Sequence, residues 1–238
     1  MKENKLNKIF TVVLLLFATT FTTQALIPGP DLIYECPKCS NFLKNASNMS
    51  GNTFGGRLYS DGKTIAPRLP QFPNLTKCKK CDTILWLSDM QEIGTCGGLV
   101  KNKNCKPKWR NADRVEFLGV NDLFRFLELD IVKNDTERER TVRREIWWTF
   151  NDRLRVGTEL FVQETDEVLW EQNCRRLIEL LDTTDVHQKI MKAELHRNLG
   201  EFDVCMELIN SLDSNFDWLI EKFKNECNNK NRLLIQLR

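Results

Sequence analysis

Two copies of a C-x-x-C element constrain the fold of this chain more than any other feature. The first is Cys36-Pro-Lys-Cys39 and the second is Cys78-Lys-Lys-Cys81, with thirty-eight residues between them. The short loop of each element points two sulfur atoms at one place, so two elements can complete a tetrahedron. Four thiolates in this arrangement form a closed structural Zn²⁺ site, although the separation is longer than is usual in zinc ribbons. The predicted zinc ligands are Cys36, Cys39, Cys78 and Cys81.

The same four cysteines also allow thiol–disulfide chemistry, which stays open as an alternative to zinc. A redox C-x-x-C element normally begins a helix inside a β-α-β unit. Neither element lies in such a pattern, so zinc is the first prediction.

Five further cysteines bring the total to nine. Cys96 and Cys105 flank a Gly-Gly pair, and the sequence leaves open whether they form a local disulfide or stay as thiols. Cys174, Cys205 and Cys227 lie on apolar helix faces, where a buried thiol behaves as a small hydrophobic side chain. Because nine is odd, at least one cysteine has no intramolecular disulfide partner.

The segment between the two elements carries strand and turn signals. An Asp61-Gly62 pair inside residues 58–65 predicts a hairpin with a two-residue turn. Residues 83–87 predict a strand that we expect to pair with this hairpin. An extended connector is predicted by three evenly spaced prolines, which are Pro67, Pro70 and Pro73. We call residues 31–110 the head and predict a small, β-rich, zinc-ribbon-like domain.

Beyond the head, apolar residues recur at helical spacing. Residues 136–139 form a capping-box pattern that opens at Thr136, and Ser214 is the predicted N-cap of the last helix. Gly200 lies between two apolar stripes and predicts a helical hairpin. This hairpin resembles the second half of a tetratricopeptide repeat, with Phe202 and Cys205 following the glycine. We call residues 111–238 the tail and predict an all-α, tetratricopeptide-like domain, so the expected fold class is α+β.

The densest aromatic and charged cluster of the tail is residues 147–155. One interpretation makes it a polar binding site, formed by Asn151, Asp152, Arg153 and Arg155. The favoured interpretation is structural, with Trp147 buried, Trp148 at the junction with the head, and the Asn-Asp pair ending a helix.

Residues 1–25 have the pattern of a secretory signal peptide, with three lysines before an apolar run at 9–21 and small residues near position 25. We expect an exported protein, periplasmic or secreted. If the segment is not cleaved, it tethers the protein to a membrane. If the segment is a wrongly assigned gene start, the expectation becomes a cytoplasmic protein.

Charge is distributed unequally between head and tail. The head holds thirteen Lys or Arg against six Asp or Glu, and the tail holds nineteen against twenty-six, so their net charges are +7 and −7. This asymmetry either helps the two halves dock or marks the head as the side that meets an anionic partner.

No phosphate loop, nucleophile arrangement or catalytic acid–base pair is evident, and His187 and His196 lack metal-ligand spacing. The sequence therefore favours a non-catalytic protein-interaction or scaffold module with a protein partner, and it leaves the oligomeric state open. The alternative is a nucleic-acid-binding zinc-ribbon protein, suggested by Lys77, Lys79, Lys80 and the basic residues 101–110. A C-x-x-C thiol–disulfide protein is the further alternative.

The motifs of the chain together resemble those of a group of uncharacterised bacterial proteins with a two-knuckle zinc head and a tetratricopeptide-like helical tail. They are the two C-x-x-C knuckles, Ser60-Asp61-Gly62-Lys63 and Trp147-Trp148-x-x-Asn151-Asp152. The resemblance covers residues 33–90 and 137–213. It implies the zinc site and implies no activity.

Overall fold

The computed structural model of the protein describes residues 26–98 and 105–238. Small strands lie in the N-terminal half and helices in the C-terminal half, which confirms the predicted α+β class. The predicted signal peptide lies outside the described residues. Within those residues, no helix combines the length and hydropathy needed to cross a bilayer.

The described strands are all short, with at most five residues. They are β1 (Ile27–Pro28), β2 (Asp31–Glu35), β3 (Phe42–Asn45), β4 (Asn48–Ser50), β5 (Arg57–Leu58), β6 (Thr64–Ile65), β7 (Leu75–Lys77), β8 (Ile84–Trp86), β9 (Gly94–Cys96) and β10 (Asp113–Arg114). The described helices are α1 (Pro107–Arg110), α2 (Val120–Leu127), α3 (Asp130–Lys133), α4 (Thr136–Arg155), α5 (Asp166–Glu179), α6 (Val186–Asn198), α7 (Phe202–Asn210) and α8 (Asp217–Asn228). Isolated two-stranded hairpins are marginal in water, so strands this short need further support.

Four strands form one sheet in the order β10-β3-β2-β9. β2 pairs antiparallel with β3 and β9, whereas β10 pairs parallel with β3. The other strands form three separate pairs, β1 with β4, β5 with β6 and β7 with β8. Each C-x-x-C element is the turn of a hairpin, the first between β2 and β3 and the second between β7 and β8.

The strand predicted at residues 83–87 is present as β8, but its predicted partner is wrong. β8 pairs antiparallel with β7, with Leu75 opposite Trp86 and Lys77 opposite Ile84. The second C-x-x-C element is itself the turn between these two strands. A turn this short places its flanking strands side by side, so β8 is not free to pair with the Asp61-Gly62 hairpin.

The hairpin predicted at residues 58–65 is confirmed as β5 and β6, although its loop is longer than predicted. The backbone N–H of Tyr59 donates to the carbonyl of Lys63, which leaves a three-residue loop between them. Gly62 ends this loop at φ +78°, a left-handed conformation that glycine adopts without a Cβ clash.

Aspartates cap two helical segments of the tail at positions one residue before those predicted. Asp135, rather than Thr136, caps α4 by accepting a hydrogen bond from the backbone N–H of Arg138. Asp213, rather than Ser214, caps the 3₁₀ turn that precedes α8. A carboxylate suits this position because it both accepts the hydrogen bond and faces the positive end of the helix dipole.

The helical hairpin predicted around Gly200 is confirmed. Gly200 adopts φ +82° between α6 and α7 and so turns the chain back on itself. α7 and α8 then pack through a buried cluster that includes Cys205, Ile209 and Phe223.

The largest group of buried apolar residues lies in the tail but extends into the head. Trp147 and Phe150 of α4 are fully buried at its centre, and Leu75 of β7 belongs to the same group. The ring of Trp86 meets that of Phe126 edge to face, with centroids 5.6 Å apart. The head therefore packs directly on the tail core.

A buried ion pair also joins head to tail. The Asp61 carboxylate, in the loop between β5 and β6, pairs with the Arg155 guanidinium of α4, and both side chains are almost completely buried. Asn151 Nδ2 donates to the same carboxylate at 2.9 Å, and Trp148 Nε1 donates to the Asp61 carbonyl at 3.0 Å. These hydrogen bonds supply the partners that buried charges require.

A second buried polar network lies next to the first. Ser60 Oγ donates to Glu194 Oε1 at 2.6 Å, and Glu194 pairs with Arg197, both side chains being fully buried. Arg197 Nη2 donates to the carbonyl of Leu233 at 2.8 Å, and the N–H of Ile235 donates to Ser60 Oγ at 3.2 Å. The segment that follows α8 is thus fixed between the β5–β6 hairpin and α6.

The Asn151-Asp152 pair lies inside α4, so the prediction that it ends a helix is wrong. Asn151 is buried because it binds the β5–β6 loop, and Asp152 pairs with Lys63 of the same hairpin at 2.7 Å. Trp147 is buried and Trp148 lies at the head–tail junction, as the structural interpretation predicted.

We expect Asp61→Asn to destabilise the whole protein by about 3 kcal/mol, because it removes the buried carboxylate beside the Arg155 guanidinium and leaves only the partly exposed Asp152 as its counter-charge. The control is Glu171→Gln, which removes a carboxylate that is 48% exposed in its pair with Arg175 and contributes at most about 1 kcal/mol. Urea unfolding followed by circular dichroism measures both. Equal effects of the two substitutions would contradict the importance of the buried pair.

A pH-dependent contribution to stability is expected from Glu139 of α4. Hydrogen bonds from Arg176, and also from Arg143, lower the pKa of Glu139 from 4.5 to about 2. The stabilisation is present above pH 4.5, where the unfolded chain is also ionised, and is lost as the pH falls towards 2. Glu139→Gln should cost about 1–2 kcal/mol at neutral pH, allowing for the exposed Arg176 partner, and less below pH 4.5.

Thermal unfolding at a series of pH values measures this difference. Glu179→Gln is the control, because Glu179 binds the same Arg176 from a largely exposed position. A Glu139→Gln deficit that is constant from neutral pH to acid would disprove the assignment.

Candidate metal centre

The four predicted ligand residues come together at one point between the two knuckle hairpins. Their Sγ atoms all lie within 4.8 Å of one another. Cys36 and Cys78 are buried, whereas Cys39 and Cys81 are partly exposed. Sulfurs of different knuckles approach closely, with Cys36 to Cys81 and Cys39 to Cys78 both at 3.6 Å.

These distances fit a single tetrahedral metal ion. Four sulfurs at about 2.3 Å from a central ion lie about 3.8 Å from each other. The observed separations bracket that value, and they are far longer than the roughly 2.05 Å of a disulfide bond. The four cysteines can therefore hold a metal ion without rearrangement of the backbone.

The two knuckles repeat the same backbone structure. In the first, the N–H of Cys36 donates to the carbonyl of Asn41 at 2.8 Å; in the second, the N–H of Cys78 donates to the carbonyl of Thr83 at 2.9 Å. The residue after the second cysteine has a left-handed φ in both, at +54° for Ser40 and +56° for its counterpart. Each knuckle thus presents its two sulfurs to the same side of a tight turn.

Polar groups surround the sulfurs and favour thiolates. Thr83 Oγ1 lies 3.1 Å from Cys81 Sγ, and Asn41 Nδ2 lies 3.8 Å from Cys78 Sγ. Asn41 is itself held by a 2.7 Å hydrogen bond to Asp113 Oδ2 of β10. Such contacts orient metal ligands and stabilise their charge.

Sequence reasoning missed Asn41 and Thr83. Both stand two positions after the second cysteine of their knuckle. This equivalence between the two knuckles is the signal that could have identified them.

The thiols influence each other's ionisation strongly. The Thr83 hydroxyl and backbone N–H lower the pKa of Cys81 to about 6. The backbone N–H of Asn41 favours the Cys39 thiolate, but burial and the three neighbouring sulfurs together raise the pKa of Cys39 to about 12. Four negative charges so close together repel one another, and a bound cation removes that cost.

The remaining cysteines have structural environments. Cys96 and Cys105 form a disulfide, so the open question about this pair is answered. Cys174, Cys205 and Cys227 are buried in the tail, as predicted. Burial raises the pKa of the Cys174 thiol well above its usual value, which makes this thiol unreactive.

The other sequence motifs lie away from the metal centre. Ser60-Asp61-Gly62-Lys63 and the tryptophan cluster of α4 contact each other across the head–tail junction. Arg153, from the cluster interpreted as a possible binding site, pairs with Asp166 at 2.6 Å. Part of the basic segment 101–110 lies outside the described residues.

Comparison with models of known protein families, with curated proteins and with solved structures found no match for this chain. The assignment of the metal centre therefore depends on its geometry alone.

We expect the purified protein to hold about one equivalent of metal, and Cys78→Ser to reduce this to below about a tenth. Cys78 is fully buried, so its replacement removes a central ligand and should also lower the thermal stability of the head. Elemental analysis and thermal unfolding measure the two effects. Cys174→Ser, a buried thiol in the tail, is the control and should keep its metal. Full metal content in Cys78→Ser would disprove the site.

Proposed function

We propose that this protein is a non-catalytic protein-interaction module whose head is held together by a structural Zn²⁺ ion. The observation that carries the proposal is the closed group of four cysteine sulfurs, all within 4.8 Å. A metal ion with four thiolate ligands has no open position for water or substrate, so such a site contributes folding energy rather than catalysis.

Zinc is the metal that suits this arrangement best among common biological ions. Thiolates are soft ligands that select zinc, copper(I) or iron–sulfur clusters, and a tetrahedral four-sulfur set is typical of structural zinc. The pairing of two hairpin knuckles around one site supports a zinc-ribbon-like head.

The arrangement of the sulfurs favours metal binding over thiol–disulfide chemistry. A redox C-x-x-C element forms its disulfide between its own two cysteines. Here, contacts of 3.6 Å also run between knuckles, from Cys36 to Cys81 and from Cys39 to Cys78, as the four ligands of one metal ion require. Both elements also lie in hairpin turns, where no helix N-terminus lowers a thiol pKa.

The charges near the second knuckle weigh against a nucleic-acid interface. Lys77 pairs with Asp122 at 2.8 Å, and Lys79 contacts Glu116 at 2.5 Å. Lysines already neutralised by carboxylates gain little from phosphate contacts. A protein partner therefore agrees better with this surface.

A groove beside the first knuckle supplies the surface for such a partner. It has a volume of about 540 Å³ and runs from Pro37 of the knuckle past Trp86 and Met90 to Ile131 of α3. Ile131 is 46% exposed, although it is a large apolar side chain. Apolar surface of this kind is typical of interaction sites.

The charge at the edge of the groove indicates the kind of segment that binds there. Glu35 lines the groove and makes no ion pair with any described residue, whereas Asp89 is neutralised by Arg138 at 2.6 Å. The occupant that we propose is an extended segment of a partner protein with apolar side chains and one basic residue, which pairs with Glu35.

Selection from a random-peptide library on the zinc-loaded protein tests this function. We expect apolar peptides with a Lys or Arg, whose binding weakens at least about tenfold in Ile131→Glu, because the charge enters an apolar groove. Val162→Glu is the control, since Val162 is 70% exposed outside the groove. Removal of zinc should abolish binding. The absence of enriched peptides, or peptides that bind equally well to Ile131→Glu, would contradict the proposal.

A further inference from the structure

A cavity of about 300 Å³ lies at the head–tail junction, apart from both the metal centre and the groove. One face of α4 forms its floor, and the proline-rich connector and the segment before α2 form its walls. Its lining includes two charged residues and four apolar ones, which are Arg144, Glu145, Phe72, Leu75, Phe117 and Leu118. Ligand sites occur preferentially at such junctions, and this volume is at the small end of their range.

Arg144 and Glu145 bring opposite charges into the cavity, and neither side chain makes an ion pair or a hydrogen bond with any described residue. Arg144 makes no ion pair with any described residue, and its Nε is buried without a hydrogen-bond acceptor. Its guanidinium lies over the Trp148 ring, 4.7 Å from the centroid, and its outer nitrogens donate no hydrogen bond to any described residue. The Glu145 carboxylate accepts no hydrogen bond within the described part of the chain. Burial raises its pKa, and the nearby positive charges of Arg144 and Lys63 oppose that effect only in part.

This situation contrasts with the other charged groups of the junction. Lys63 and Asp152, which line the same cavity, pair with each other at 2.7 Å. Asp61 and Arg155, just behind them, are also paired. Charged side chains in a part-buried position destabilise a fold unless an oppositely charged or hydrogen-bonding group, here from a ligand, pairs with them.

The opposite wall of the cavity is apolar and partly uncovered. Phe72, Leu75 and Leu118 line it. Phe117, which also lines the cavity, is 63% exposed and has no described aromatic neighbour in ring contact. A ligand with an apolar part would cover this ring. If it also carried a carboxylate and a nitrogen donor, it would pair with both Arg144 and Glu145.

We propose that this cavity binds an apolar α-amino acid unit, either a free amino acid or the C-terminal residue of a peptide. Its carboxylate pairs with the Arg144 guanidinium, which matches a carboxylate in a two-bond geometry. Its nitrogen donates to the Glu145 carboxylate, and its side chain packs against Phe72 and Phe117. The cavity volume suits one residue rather than a longer segment.

Isothermal titration of the full-length, zinc-loaded protein with leucine and phenylalanine tests the proposal. Both should bind saturably, whereas leucinamide, which lacks the carboxylate, should bind at least about tenfold more weakly. N-acetyl-leucine and Gly-Gly-Leu separate the two sources. Binding of these two compounds would indicate a peptide C-terminus, and binding of leucine alone would indicate a free amino acid.

Substitutions identify the cavity as the binding site. Arg144→Met should weaken leucine binding at least about tenfold, and so should Glu145→Gln. Without ligand, Glu145→Gln should change the thermal stability little, because burial disfavours the Glu145 carboxylate while the nearby charges of Arg144 and Lys63 favour it. The controls are Arg57→Met and Glu164→Gln, at exposed positions away from the cavity.

Two outcomes would overturn the proposal. One is the absence of binding by leucine, phenylalanine and Gly-Gly-Leu at millimolar concentration. The other is binding that neither Arg144→Met nor Glu145→Gln weakens. Ile131→Glu, in the separate groove, should leave amino-acid binding unchanged, so failure of this proposal is distinguishable from failure of the proposed function.

Discussion

Mutual repulsion among four closely packed cysteine sulfurs is the constraint on which the head depends. The sulfurs lie within 4.8 Å of one another, and their thiolates cannot all ionise at once without a cation. The strands that carry them have three to five residues, which is too short for hairpins that are stable alone. A metal ion bound by these sulfurs would convert the repulsion into attraction and join the two hairpins. Metal–ligand bonds would then supply the stability that such short strands do not provide.

The head is not attached to the tail by apolar packing alone. The loop between β5 and β6 inserts Asp61 and Ser60 among α4, α6 and the segment after α8, where each meets a buried polar partner. Buried ion pairs contribute little net stability, but their geometry tolerates few alternatives. Such contacts fix the orientation of one half relative to the other. The metal centre, the groove beside it and the junction cavity therefore keep a defined arrangement.

The charged residues of α4 fall into two groups with different physical roles. Arg155 and Asp152 meet opposite charges from the β5–β6 hairpin and hold the halves together. Arg144 and Glu145, two turns earlier, face the cavity without ion-pair partners among the described residues. Charges without ion-pair partners in one part of the helix and paired charges two to three turns later are evidence that packing alone did not select every polar residue of this helix. The same helix thus serves both the junction and the proposed ligand site.

The sequence by itself determined the α+β class, the four cysteines of the candidate metal centre, the β5–β6 hairpin and the helical hairpin at Gly200. These features depend on local spacing, such as two residues between cysteines, an Asp-Gly turn or an apolar period near 3.6. Only the tertiary structure decided that β8 pairs with β7, that Asn151 binds Asp61 from inside a helix, and that Asn41 and Thr83 support the sulfurs. Asn151 and Asp61 are 90 residues apart in the chain, and Asn41 and Cys78 are 37 residues apart. Thr83 is close to Cys81 in the chain, but its contact with the sulfur depends on the geometry of the knuckle turn. Local preference cannot choose among such partners, because burial and mutual geometry set their energies.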